Sequence, residues 1–110
     1  MQDVTEHGHN LVTSNYVLFE LTALLTRPLR VPKKRQIELI ASLRHDPATI
    51  VVPIDAAIDA NAWELWANRI DKEWSLVDCT SFLVMEQKKL TRALTADSHF
   101  EQAGFVRLLN

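Results

Sequence analysis

One stretch in the middle of the chain limits the fold more than any other: TIVVPI, residues 49–54. β-Branched side chains are stiff at χ1 and pack well on a pleated surface, so this run predicts a strand. Pro53 cannot donate to a strand ladder, which favours an edge position. The flanking sequence has a different period. KKRQIELIASLRHD (33–46) carries Ile37, Ile40, Ala41 and Arg44 in helical register, and Pro47 stops it. DAAIDANAWELWANRI follows, with Ile58, Ala62, Leu65, Trp66 and Arg69 on one side and Asp55 placed as its cap. A strand set between amphipathic helices points to an α/β fold with a mainly parallel sheet and helices on both faces.

The rest of the chain keeps the alternation. LVTS (11–14) is short and apolar before it turns polar. NYVLFELTALLTR then reads as a helix with Val17, Leu18, Leu21, Leu24 and Leu25 on one face, and Thr13, Ser14 and Asn15 are all good N-caps. Pro28 and Pro32 bracket a break. SLVDCTSFLVMEQKKL (75–90) is a fourth helix, followed by a strand at 92–96, a turn at 98–103 and a final strand at 105–109. The predicted order is β-α-α-β-α-α-β-β.

At 110 residues, with 47% hydrophobic and 24% charged, the chain is one domain (1–110) able to bury its own core, with residues 1–10 as a mobile start. MQDVTEHGHN is polar and acidic, unlike the core of a signal peptide, and no apolar run approaches the roughly 18 residues of a membrane span. The lone Cys79 excludes an internal disulfide framework. The expectation is a soluble cytoplasmic protein. A net charge of −2 gives no global footprint for nucleic acid, and the two glycines, Gly8 and Gly104, cannot build a phosphate-cradling loop.

Three acids stand out. Asp97 ends the predicted strand at 92–96, where open parallel sheets bind ligands; it could equally cap the turn that follows. Asp78 lies three residues after Ser75, a capping-box spacing, at a helix start that also suits a carboxylate kept ionised beside others. Glu20 sits inside the first helix, solvated in the ordinary reading, but near enough to the helix start to face the sheet edge. Together they suit a hard divalent cation such as Mg²⁺ or Mn²⁺, since clustered acids raise one another's pKa without one. RPLRVPKKR (27–35) is basic; Lys33 to Arg35 at a helix start oppose the dipole, which suggests either a phosphate-facing role or a solvated linker. His7 and His9 read as part of a mobile end and His99 as a turn histidine flanking the site. Trp63, Trp66 and Trp74 read as core or interface packing, and Cys79 as a buried small residue.

WSLVDCTSFLVMEQKKLTRALTADSHFEQAGFVRLL resembles the C-terminal half of a PIN domain of the VapC-like toxin kind, and LVTSNYVLFELTALL resembles that family's second strand and following helix. The resemblance runs from about residue 11 to 109. It implies a parallel sheet with helices on both faces and metal-dependent cleavage of RNA phosphodiesters. Carried over, Glu20 matches the second acidic position, Asp78 the third and Asp97 the fourth. It implies that these bind Mg²⁺ or Mn²⁺ and that the partners are an antitoxin and a second copy in a homodimer; the phosphate-facing reading of the basic run makes Arg27, Arg30, Lys33, Lys34 and Arg35 the candidates for RNA contact.

The resemblance also implies a departure. The family opens on an apolar strand ending in Asp, and MQDVTEHG has no such run before Asp3. The expectation is an N-terminally truncated domain lacking that strand and helix, about 25–30 residues by the size of a βαβ unit, and one carboxylate. Three readings follow: a toxin ribonuclease whose start is assigned too late, a catalytically inactive remnant, or a non-enzymatic module for antitoxin binding or self-association. On all three, the chain by itself is expected to be weakly active or inactive.

Overall fold

Ser14 and Asn15 set the geometry of the N-terminal half. In the computed structural model, which describes residues 2–3, 10–93, 95 and 97–107, strand β2 (Asn10–Ser14) passes directly into helix α1 (Asn15–Thr26). Ser14 Oγ accepts from the Val17 N–H at 3.2 Å, satisfying one of the orphan donors of the first turn. Asn15 Oδ1 accepts from the Ile54 N–H at 2.8 Å, which ties the helix start to the segment leaving β3 (Thr49–Val52). β2 and β3 pair in parallel, from Leu11 opposite Thr49 to Ser14 opposite Val52. Both strands therefore end at the same level. β3 is the outer strand, as Pro53 predicts, and Pro53 follows its last residue.

Helix α2 (Lys33–His45) lies between α1 and β3, and α3 (Ala56–Asn68) is capped by Asp55, whose Oδ1 accepts from the Ile58 N–H at 2.8 Å. Helix α4 (Leu76–Gln87) packs against α1, α3 and the short α5 (Ser98–Gln102). It carries much of the core: Cys79, Phe82, Val84 and Met85 are all buried. Phe82 is the hub. Its ring lies 5.0 Å from Trp74, 4.9 Å from Phe100 and 5.7 Å from Phe105, the first two edge-on. Trp74 Nε1 donates to Gln102 Oε1 at 3.1 Å, so α5 is pinned to the core at two points. Gly104, at φ 97°, makes the left-handed turn out of α5 that a side chain would resist.

Strands β4 (Arg92–Ala93) and β5 (Val106–Arg107) form a second parallel pair. The one sheet expected from the sequence is thus two hydrogen-bonded groups, β1-β2-β3 and β4-β5, where β1 (Gln2–Asp3) pairs antiparallel with Asn10 and Leu11. Among the described residues no strand pairs with both β2 and β4, and β1 only approaches β4. The expected mobile start falls largely outside the described residues, as do Leu94, Ala96 and residues 108–109 of the two expected C-terminal strands.

Some expected faces are less covered than their period suggests. In α2 the buried residue is Gln36, whose Nε2 donates to the Val31 carbonyl at 2.8 Å, while Ile37 and Leu39 are exposed. Among the described residues α2 meets chiefly α1 and β3, and these do not cover its whole apolar face. Leu24, Trp63 and Trp66 are also exposed, and only Trp74 of the three tryptophans joins the core. No described helix is long and apolar enough to cross a membrane.

Candidate active site

Where β2 and β4 end, the chain leaves a cavity of about 230 Å³. Thr13 of β2 and Ala93 of β4 form part of its wall; Val17 and Glu20 of α1 face Val77, Asp78 and Ser81 of α4; Asp97 and Phe100 close the α5 side. The three sequence-predicted acids, 58 residues apart from Glu20 to Asp78 and 19 from Asp78 to Asp97, thus meet in one place. No lysine or arginine lines it among the described residues.

Each aspartate also serves the local role its spacing predicts. Asp78 and Ser75 form a full capping box: Ser75 Oγ accepts from the Asp78 N–H and Asp78 Oδ2 from the Ser75 N–H, both at 3.0 Å. Asp97 caps α5, its Oδ1 accepting from the His99 N–H at 2.9 Å. These bonds engage one oxygen of each carboxylate. A carboxylate has about four acceptor sites, so the caps leave capacity for a further ligand.

His99 joins the two. Its Nδ1 lies 3.0 Å from Asp78 Oδ2 and 3.4 Å from Asp97 Oδ1. An ionised carboxylate only accepts, so the complementary arrangement has Nδ1–H donating. One donor atom from each of Asp78, Asp97 and His99 lies within 4.8 Å of the others, a spacing that can hold a cation. Sequence reading placed His99 at the flank of the site. Its D-x-H spacing to Asp97 was visible, but its closer partner, Asp78, is 21 residues away.

Glu20 completes the wall. The residue is exposed overall, yet burial against the cavity holds its carboxyl above the ordinary range, and the charge of Asp78 raises it further. Like charges so placed are what a divalent cation would relieve. The carboxylate oxygens are the hard donors that a divalent cation takes, with the His99 imidazole holding them in place. Cys79, next to Asp78, points into the core instead; burial, then the Asp78 charge, pushes its thiol up, away from thiolate chemistry.

The basic segment lies elsewhere. Arg27 caps the far end of α1, Arg30 sits in the connection at φ 51°, and Lys33, Lys34 and Arg35 open α2. All five are exposed, Arg35 pairs with Glu38 at 3.3 Å, and none lines the cavity.

Comparison with known proteins gives this geometry a context. Residues 2–106 match the family model for the PIN domain. Two curated relatives, both "23S rRNA-specific endonuclease VapC20" from Mycobacterium tuberculosis, strains CDC 1551 / Oshkosh and ATCC 25618 / H37Rv, are each 35% identical over 98 residues. That span is 89% of this chain and 72% of each relative. The crystal structure of Mycobacterium tuberculosis VapC20, described as a sarcin–ricin loop cleaving toxin, superimposes with a TM-score of 0.80 at 34% identity, covering 90% of this chain and 74% of that one.

Proposed function

The chain belongs to the PIN domain family, and from that premise we propose that it is a metal-dependent ribonuclease of the toxin class. The observation that carries the reading is that Glu20, Asp78 and Asp97 line one cavity, with a ligand atom from each of Asp78, Asp97 and His99 within 4.8 Å of the others. Asp78 and Asp97 would hold Mg²⁺ or Mn²⁺, and His99 keeps their carboxylates at a fixed separation. When bound, such a cation supplies Lewis acidity, acidifying water and offsetting charge on phosphodiester oxygens. Glu20, which lines the same cavity, is placed to take the proton from the attacking water.

The substrate is ribosomal RNA, by likeness to a 23S rRNA-specific endonuclease. Arg27, Arg30, Lys33, Lys34 and Arg35 contact its backbone away from the cut. Arg27 is seven residues beyond Glu20, about 10 Å along a helix axis, near enough to hold a strand whose phosphate lies at the carboxylates. An antitoxin and a second copy are the expected protein partners. The motive is apolar surface left open on α2 (Ile37, Leu39) and at α3 and its exit (Trp63, Trp66, Ile70). A catalytically inactive remnant is the less favoured reading, given 35% identity to an endonuclease across 89% of the chain.

The test is cleavage of a sarcin–ricin loop hairpin and of total ribosomal RNA, with and without EDTA. Weak Mg²⁺- or Mn²⁺-dependent scission, lost in Asp97→Asn, is expected. Scission that survives both EDTA and Asp97→Asn would show a contaminating nuclease or another site.

A further inference from the structure

Beside the carboxylate cavity lies a second, wider hollow of about 430 Å³, lined by Tyr16, Phe19, Glu20 and Val77. Glu20 and Val77 line both, so the two lie side by side. Its wall is mostly apolar and aromatic. Phe19 is 67% exposed, an unusual position for a phenylalanine, on the residue just before Glu20. Tyr16 is one turn back on the same side of α1. Its hydroxyl donates to Asp59 Oδ1 of α3 at 2.9 Å, which ties the ring in place.

We propose that this hollow is a stacking subsite for the nucleobase next to the scissile phosphate, with Phe19 as the stacking surface and Tyr16 as its fixed wall. This rests on the ribonuclease reading of the adjoining carboxylates. The occupant follows from adjacency. A phosphodiester at the Asp78–Asp97 cluster carries a base on each side, and the hollow beyond Glu20 and Val77 lies within reach of one of them. Bases unstacked from single-stranded RNA are held on aromatic side chains, and every base offers a π-face. The exposed ring costs little conformational entropy on binding because a phenylalanine has only two side-chain torsions. The subsite therefore selects an unpaired, splayed nucleotide at the cut, not a base-paired one.

The experiment uses the sarcin–ricin loop hairpin with 2-aminopurine at each nucleotide flanking the cleaved bond, and wild type, Phe19→Ala and Phe19→Trp. Binding in EDTA is followed by 2-aminopurine quenching, and cleavage in Mg²⁺ by steady-state kinetics. Loss of one stacking partner corresponds to roughly a ten- to hundred-fold drop in affinity. Phe19→Ala is expected to raise KM by that factor, to abolish quenching at one flanking position, and to leave the melting temperature unchanged. Phe19→Trp restores both. An abasic nucleotide at that position should cost the wild type the same factor and cost Phe19→Ala nothing more. If wild type cleaves and Phe19→Ala matches it in KM and quenching, the subsite is wrong while the ribonuclease reading stands. The subsite is equally wrong if Phe19→Ala loses only self-association. If wild type neither binds nor cleaves the hairpin or total ribosomal RNA, both fail.

Discussion

Asp78 is asked to do two jobs, and two substitutions separate them. Ser75→Ala removes the hydroxyl that accepts from the Asp78 N–H at 3.0 Å but leaves the carboxylate. Losing such a cap costs about 1 kcal/mol, or about 5 °C in Tm for a domain of this size. Asp78→Asn keeps an oxygen able to accept from the Ser75 N–H. It loses a first-turn charge worth about 0.3–1 kcal/mol against the helix dipole, partly offset because Glu20 loses a repelling neighbour. In EDTA, then, Ser75→Ala should be the less stable variant or match Asp78→Asn. Metal reverses their order. A ligand at ten times its Kd stabilises the folded state by about 1.4 kcal/mol, again several degrees. Ser75→Ala should keep that increment in full and Asp78→Asn should lose it. The assay is thermal unfolding by circular dichroism across an Mn²⁺ and Mg²⁺ titration, with cleavage measured alongside. Equal metal-linked shifts in the two variants would refute the claim that the Asp78 carboxylate is a ligand as well as a cap.

Three further outcomes follow from the same geometry. His99→Asn retains a donor near the place of Nδ1, whereas His99→Ala leaves Asp78 and Asp97 unbridged; the alanine variant should bind metal about ten-fold more weakly, with Asn intermediate, as read by the same titration. Glu20 has its folded-state pKa raised, so without metal the protein loses stability as pH climbs from the ordinary carboxylate value to the raised one. Because Glu20 is largely exposed the loss is only about a few tenths of a kcal/mol; Glu20→Gln should flatten that part of the metal-free Tm–pH curve, and an unchanged curve would point to another group. Phe82→Ala should cost about 3–5 kcal/mol, because Trp74, Phe100 and Phe105 all lean on its ring; a denaturant midpoint close to wild type would mean the hub is misassigned.

What could be read in the sequence was what depends on neighbours a few residues apart. Ser75 and Asp78 show a capping box by spacing alone, and Asp55 and Asp97 show their caps the same way. The alternation around TIVVPI pointed to the α/β class because period and β-branching are local. Three things were out of reach for a common reason. Whether β2 and β4 share a strand, what covers Ile37 on α2, and which carboxylate His99 meets are all fixed by contacts between distant segments. Glu20 shows the boundary best. Its sequence position allowed only that it could face the sheet edge, and its membership of the cavity depended on α4 lying against α1.

The choice between a capping role and a chemical role for the two aspartates dissolves on physical grounds. A helix N-terminus favours negative charge, and its backbone donors fix a carboxylate through one oxygen while the other stays available. A cation ligand needs the same two properties, charge and fixed position. Glu20 lacks that anchoring: it lies mid-helix, away from the first-turn donors of α1, and burial and then the Asp78 charge raise its pKa. The two capped aspartates suit holding a cation, and the uncapped glutamate suits receiving a proton. Exchanging Glu20 for Asp tests this division: the shorter arm should slow cleavage while leaving the Mn²⁺-linked rise in Tm largely intact. A variant that lost both together would make Glu20 a ligand on the same footing as Asp78 and Asp97.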